Sequence, residues 1–218
     1  AVNTGLTNTQ VLSLAVSGST VFTGTYGGGV FRSTNNGASW IAVNTGLTNS
    51  VVWSLAVSGS TLFAGTANEG ICRSTDNGVS WTAVNTGYSV WSLAISDSTL
   101  FAGTSGGVFR SGNNGTSWTA TNTGLMSNTY VTSLAISDST LFAGTLSRGL
   151  YRSDNNGASW TAVNTGLTSR DIRSLAVSGS TIFAGTFAGG VFRATIPTFS
   201  PTLTASRSPL NLGTTLSG

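Results

Sequence analysis

The chain has 218 residues, of which only 7% are charged; nine arginines stand against six acidic residues, with no Lys and no His, for a formal charge of +3. With no His and the single Cys72, His/Cys metal clusters, a Ser-His-Asp system and an internal disulfide are all excluded. Five arginines recur at one place in an internal repeat, leaving Arg148, Arg170, Arg173 and Arg207 as free surface charge. That is too little for a nucleic-acid footprint, and no apolar run reaches membrane-spanning length.

Taken in chain order, the first predicted element is "VLSLAVS", followed after a short "SGS" turn by "TVFTGT", then "GVFRST", then "SWIAVN". All four are rich in β-branched and aromatic residues and are bounded by Gly, Ser, Thr and Asn, which predicts strands. The pattern then starts again. The triplet "SLA" places its Leu at Leu14, Leu55, Leu93, Leu134 and Leu175, spaced 41, 38, 41 and 41 residues apart. A four-stranded unit of about forty residues repeated in this way is the signature of a β-propeller blade. A lone blade has two apolar faces and must be covered by neighbours. The expected fold is therefore all-β, a five-bladed β-propeller of four-stranded antiparallel blades over residues 1–195, with a C-terminal tail over 196–218.

Between the third and fourth strands sits an octapeptide: "STNNGASW", then "STDNGVSW", "SGNNGTSW" and "SDNNGASW". Ser and Asx side chains can hold a tight turn through nearby backbone donors, and Asn-Gly supplies the positive φ that a hairpin needs. Each following Trp (Trp40, Trp81, Trp118, Trp160) is expected to fold back over its own hairpin and cover the outer edge of the blade. These octapeptides resemble the Asp-box, Ser-x-Asp-x-Gly-x-x-Trp, of bacterial-neuraminidase-type (BNR) repeats. That motif is shared by sialidases, sortilin-like receptors, photosystem assembly-factor propellers and some endoglucanases. Only Asp76 keeps the Asp; Asn35, Asn113 and Asn155 replace it. The resemblance implies the propeller and says little of function, because its members do unrelated things. The recurrent Arg32, Arg73, Arg110, Arg152 and Arg193 read as scaffold contacts, and Cys72, standing where other units carry Phe or Tyr, reads as a core residue.

The fifth unit lacks an octapeptide, whereas the chain opens on "AVNTGLT", elsewhere the end of a fourth strand. Closure of the ring by Ala1–Asn3 beside the fifth blade, with help from Ile196–Leu203, is the simplest expectation. Further blades before Ala1, or an incomplete blade shared between two chains, are the alternatives, so a monomer is expected and a blade-sharing dimer is the other possibility. The tail sequence "PTLTASRSPLNLGTTLSG" resembles the opening strand of immunoglobulin-like modules of large bacterial surface proteins. That resemblance implies an exported, extracellular or cell-surface setting.

Variation between units concentrates in the fourth-to-first connections and the second-to-third turns, which leave an up-and-down blade on the same side. A variable loop face on a uniform scaffold is where binding is expected. There Leu12, Trp53, Trp91, Thr132 and Arg173 share one position near the start of the innermost strand. Tyr26, Glu69, Tyr88, Tyr130, Arg148, Arg170 and Asp171 lie in neighbouring loops. The candidate ligand-binding residues are Trp53, Trp91, Tyr26, Tyr130, Glu69, Arg148, Arg170 and Arg173. Aromatic platforms with a few polar groups suit a carbohydrate or a surface protein. The competing reading has the two Trp plugging the channel. No cofactor is expected. Of the six carboxylates only Glu69 and Asp171 reach this face, from non-adjacent units, so the chain reads as non-catalytic, with a degenerate sialidase-like hydrolase as an alternative. An architectural or protein-interaction scaffold is the other alternative.

Overall fold

The computed structural model describes residues 1–84 and 86–196. Among these residues nineteen strands form five sheets. The first holds β1 (Val11–Ser17), β2 (Thr20–Thr25), β3 (Val30–Ser33) and β4 (Ile41–Ala42). The second holds β5 (Val52–Ser58), β6 (Thr61–Thr66), β7 (Gly70–Ser74) and β8 (Thr82–Val84). β9 (Val90–Ser96), β10 (Thr99–Thr104), β11 (Gly107–Ser111) and β12 (Thr119–Ala120) make the third. β13 (Val131–Ser137), β14 (Thr140–Thr145), β15 (Leu150–Ser153) and β16 (Thr161–Ala162) make the fourth. β17 (Ile172–Ser178), β18 (Thr181–Thr186) and β19 (Gly190–Thr195) make the fifth. All are antiparallel meanders, and together they are the blades of a five-bladed β-propeller. The first three strands of each unit fall where the sequence puts them. The fourth is shorter, two or three residues, because the chain leaves the blade edge early.

The turn chemistry expected from the octapeptide is present in all four copies. In the first, the Ser33 hydroxyl donates to Asn35 Oδ1 at 2.9 Å and accepts the Gly37 N–H at 2.9 Å, while Asn35 Oδ1 also takes the Ser39 N–H at 2.9 Å. Asn36 and Gly37 adopt φ of 54° and 84°, the left-handed region that the Asn-Gly pair was expected to supply.

The tryptophans cover their own turns as expected and also reach the neighbouring blade. Trp81 is buried, but its indole N–H donates to the Val43 carbonyl at 2.7 Å, and its backbone N–H donates to Thr45 O at 2.8 Å, both in the preceding unit. Trp160 repeats this on Thr121 O and Thr123 O, each at 2.8 Å. The Trp81 and Trp160 indoles thus fasten two blades together. Trp40 and Trp81 also lie over their own turns, 3.7 Å from where a Cβ on Gly37 and Gly78 would stand. The buried Trp118 indole N–H makes no such bond among the described residues. The apolar core follows the same logic. Phe22, Val30 and Val43 of one blade pack with Val52, Leu62, Cys72 and Trp81 of the next, confirming Cys72 as a core residue. Arg32 likewise reaches across, donating from Nη1 to Asn77 O at 3.0 Å, as its scaffold reading requires.

Inner strands pack in series, β1 on β5, β5 on β9, β9 on β13 and β13 on β17, while no comparable packing joins the fifth sheet to β1 among the described residues. The expected closure by Ala1–Asn3 is not found. Val2 O and Thr4 O accept the indole and backbone N–H of Trp40, both at 2.8 Å, so the segment sits against the first blade and not beside β19. The chain keeps the bonds a fourth-strand end makes to the Trp that follows it. Ile196 is buried and bonds through its N–H to Ser180 O at 2.7 Å. The rest of the expected closing strand and the immunoglobulin-like resemblance lie outside the described residues.

Candidate functional site

Each inner strand carries a register shift at one equivalent place. β1 skips between Val11 and Ser13, β5 between Val52 and Ser54, β13 between Val131 and Ser133, and β17 between Ile172 and Ser174; β9 shows the same shift opposite Gly103 and Thr104. The residues left over are Leu12, Trp53, Trp91, Thr132 and Arg173. A bulge removes a residue from the ladder and re-aims its side chain, which is why bulges cluster next to functional sites. The five positions singled out by comparing the repeats are therefore five bulges.

What stands at them differs. Trp53 is partly buried and meets exposed Tyr26 from the preceding blade, ring centroids 5.9 Å apart at 69°, an edge-on arrangement. The Tyr26 loop is tied to the next blade through an isolated bridge to Val51. Trp91, also partly buried, meets exposed Tyr130 from the connection that leads to the following blade, at 5.6 Å and 35°. Both geometries are favourable for aromatic pairs and leave ring surface accessible. The two indoles pair with tyrosines and not with each other among the described residues. Tyr88 lies against Phe109 at 5.5 Å. Thr132 turns its hydroxyl onto backbone carbonyls, donating to Ile172 O at 2.5 Å with Gly144 O at 3.1 Å, and so serves the blade boundary.

The charged candidates collect at the later blades. Arg173 is exposed, pairs with Asp171 at 2.8 Å, and carries its guanidinium 5.1 Å from the centroid of the exposed Phe187 ring. Phe187 is a site residue that sequence reasoning missed. Its signal was present in the variable turn "TFAGGV", as an aromatic among small residues. Arg148 and Arg170 are both exposed, in loops joined by a hydrogen bond from Gly149 N–H to Arg170 O at 2.9 Å. Glu69 is exposed next to Asn68, whose φ is 64°, and makes no ion pair among the described residues. It is not gathered with the arginines.

The other carboxylates serve the scaffold. Asp154 is held by Arg152 Nε at 2.7 Å and the Thr140 hydroxyl at 3.1 Å. Asp76 accepts hydrogen bonds from Ser80 and Ser74, which hold its carboxyl down to about 2. Asp97 and Asp138 sit in the tight inner turns at φ of 51°.

No family model matches the chain, and comparison with curated proteins gives no match. Solved structures do match. The extracellular domain of the putative one-component system BT4673 from B. thetaiotaomicron is 20% identical with a TM-score of 0.71, over 84% of this chain and 27% of that one. The GH74 xyloglucanase from Xanthomonas campestris is 18% identical with a TM-score of 0.66, over 86% and 36%. YCF48 bound to D1 peptide is 17% identical with a TM-score of 0.64, over 83% and 62%. At such identities the likeness is one of fold. The chain spans about a quarter of the BT4673 domain's length. No helix among the described residues is long and apolar enough to cross a membrane.

Proposed function

We propose that this chain is a non-catalytic binding module of an exported bacterial protein, taking carbohydrate on its variable loop face. The observation that carries this reading is the five-fold bulge with tryptophan at two successive copies. A uniform scaffold has no need to vary the bulged residue, yet Leu, Trp, Trp, Thr and Arg all stand there. The two Trp each present an aromatic pair with an exposed tyrosine, Tyr26 and Tyr130. Sugar rings offer C–H faces to aromatic platforms and hydroxyls to flanking polar groups, which Arg173, Arg148, Arg170 and Glu69 would provide. The octapeptides are read as Asp-boxes with an Asn substitution, structural and not ligand-binding, because their Ser and Asx groups are spent on their own turns. Catalysis finds little support, since Asp171 is engaged by Arg173 and Glu69 stands apart from it.

A peptide-binding scaffold is the second reading. It is favoured by the arginines of the fourth and fifth blades, which suit an acidic or carboxylate-terminated peptide, and by the likeness to a propeller solved with a peptide bound. Residence outside the cell is part of the proposal and draws on the likeness to an extracellular domain.

A glycan array probed with the purified chain beside a Trp53→Ala, Trp91→Ala double variant tests the first reading. Reproducible binding that disappears in the folded variant is the expected result. Absence of binding by both proteins would overturn the carbohydrate reading and leave the peptide scaffold.

A further inference from the structure

Every internal blade boundary is built from the same two halves. The leading blade gives the Phe22 and Val30 positions, both wholly buried, and the trailing blade gives the Leu55 and Val57 positions, packed against them. Among the described residues, one half is left uncovered at each end of the series. On the fifth blade Val191, the counterpart of Val30, is 72% exposed; on the first blade Leu14 and Val16, the counterparts of Leu55 and Val57, are 64% and 63% exposed. Large apolar side chains in one patch mark an interaction surface.

The polar fasteners are unused at the same two places. At the last two internal boundaries Ser92 Oγ accepts the Leu134 N–H at 2.9 Å and Ser133 Oγ accepts the Leu175 N–H at 3.0 Å, while the matching Ser13 and Ser54 hydroxyls at the first two are buried without this bond. The next serine in that series, Ser174, is exposed on the fifth blade, and the matching leucine is Leu14. A second fastener straps the fourth-strand ends of the first, third and fourth blades to their own blades. Asn44 accepts the Val30 N–H at 2.8 Å and donates to Gly28 O at 2.9 Å; Asn122 does so with Val108 and Gly106, and Asn164 with Leu150 and Arg148. By the same spacing Asn3 is a strap whose partners would be Val191 N–H and Gly189 O. It is instead exposed, as is its neighbour Val2, at 63% against 7% for Val43.

We infer that the fifth blade is a docking surface for the first blade of a second copy of this chain, joined head to tail. Residues Val2 and Asn3 of the incoming copy take the places of Val43 and Asn44, completing the fifth blade, while Leu14 and Val16 cover Phe183 and Val191. The two halves differ, so the contact is heterologous, and neither end pairs with its own kind. The inference is independent of what the variable face binds.

Sedimentation over a range of concentrations tests it, using the full chain and two variants at exposed positions, Leu14→Asp and Val191→Asp. The wild type is expected to show mass rising with concentration, and each variant alone to stay monomeric. Mixing the two variants should restore a 1:1 dimer and nothing larger, because only the Val191 end of one and the Leu14 end of the other remain intact. Unchanged melting temperatures would show that the variants fold. A wild type that stays monomeric at its highest soluble concentration would overturn the inference. So would association that survives both substitutions together in one chain. Oxidation of an Asn3→Cys, Val191→Cys double variant, at a concentration where the wild type associates, gives an independent result. A crosslink between chains is expected, and one formed within a single chain would mean that the seam closes on itself.

Discussion

Asp76 places a full negative charge in a turn where Asn35, Asn113 and Asn155 place an amide, and the hydrogen-bond directions reverse accordingly. The Asn35 amide donates to the Ser39 hydroxyl at 2.8 Å, whereas the Ser80 hydroxyl donates to Asp76 Oδ2 at 2.5 Å. These donors, from the Ser80 hydroxyl first and then its backbone N–H and Ser74, lower the Asp76 carboxyl from 3.8 to about 2. A group held below its unfolded value contributes stability above that value and loses it as pH falls through the folded one. The Asp76 turn should therefore weaken between about pH 4 and pH 2 while the three Asn turns do not. Asp76→Asn is expected to leave the melting temperature near neutral pH almost unchanged and to flatten its decline over that acid interval. Melting curves of both proteins from pH 2 to 7 check this. The turn was legible in the sequence because its residues bond to one another within five positions. Phe187 was not, since its value depends on Arg173 lying across it.

At the scale of the element, a blade boundary hangs on one indole. Trp81 fills the space between Phe22, Val43 and Leu62 and ties itself to the Val43 carbonyl. Trp81→Ala should cost about 3–5 kcal/mol, the range for a buried Trp truncation. Trp81→Phe keeps much of the apolar area but leaves the Val43 carbonyl without its donor, and should cost less, about 1–3 kcal/mol. Urea unfolding of the pair of variants separates the two contributions. Gly46 belongs to the same joint. Its φ is 80° and a Cβ there would collide with the Trp81 carbonyl oxygen, so Gly46→Ala should destabilise by more than about 1 kcal/mol. The strands of each blade could be read from sequence because apolar alternation and turn residues are local. That Trp81 and Trp160 also bond to the preceding blade could not. The indole reaches one full repeat back, and a repeat spacing is equally compatible with a Trp that serves its own hairpin alone. The bulges were hidden for a related reason. Leu12, Trp53, Trp91, Thr132 and Arg173 share no residue type, and the preceding apolar residue and the following Ser keep an ordinary strand rhythm.

For the whole molecule, four boundaries of one design make stability a sum of neighbour terms, with end blades covered on one side only. The fifth blade exposes Val191, so its amides should exchange with solvent sooner than those of the second blade, which is packed on both sides. Hydrogen exchange followed over β17–β19 and over β5–β7 measures the difference, and equal protection would mean that the seam is covered. Blade number and order were legible because the period survives every loop change. Closure was not. It depends on the angle between blades, set by the packing of Phe22-type residues on Leu55-type residues at each boundary, and no local motif encodes that angle.

Trp53 and Trp91 are proposed to face outward for binding, whereas Trp81 and Trp160 hold the blades. Denaturant unfolding of Trp53→Ala, Trp91→Ala and Trp81→Ala, side by side, tests it without knowledge of any ligand. The partly buried pair should each lose about 1–2 kcal/mol against about 3–5 kcal/mol for Trp81. A loss at Trp53 or Trp91 equal to that at Trp81 would make them packing residues and contradict the account.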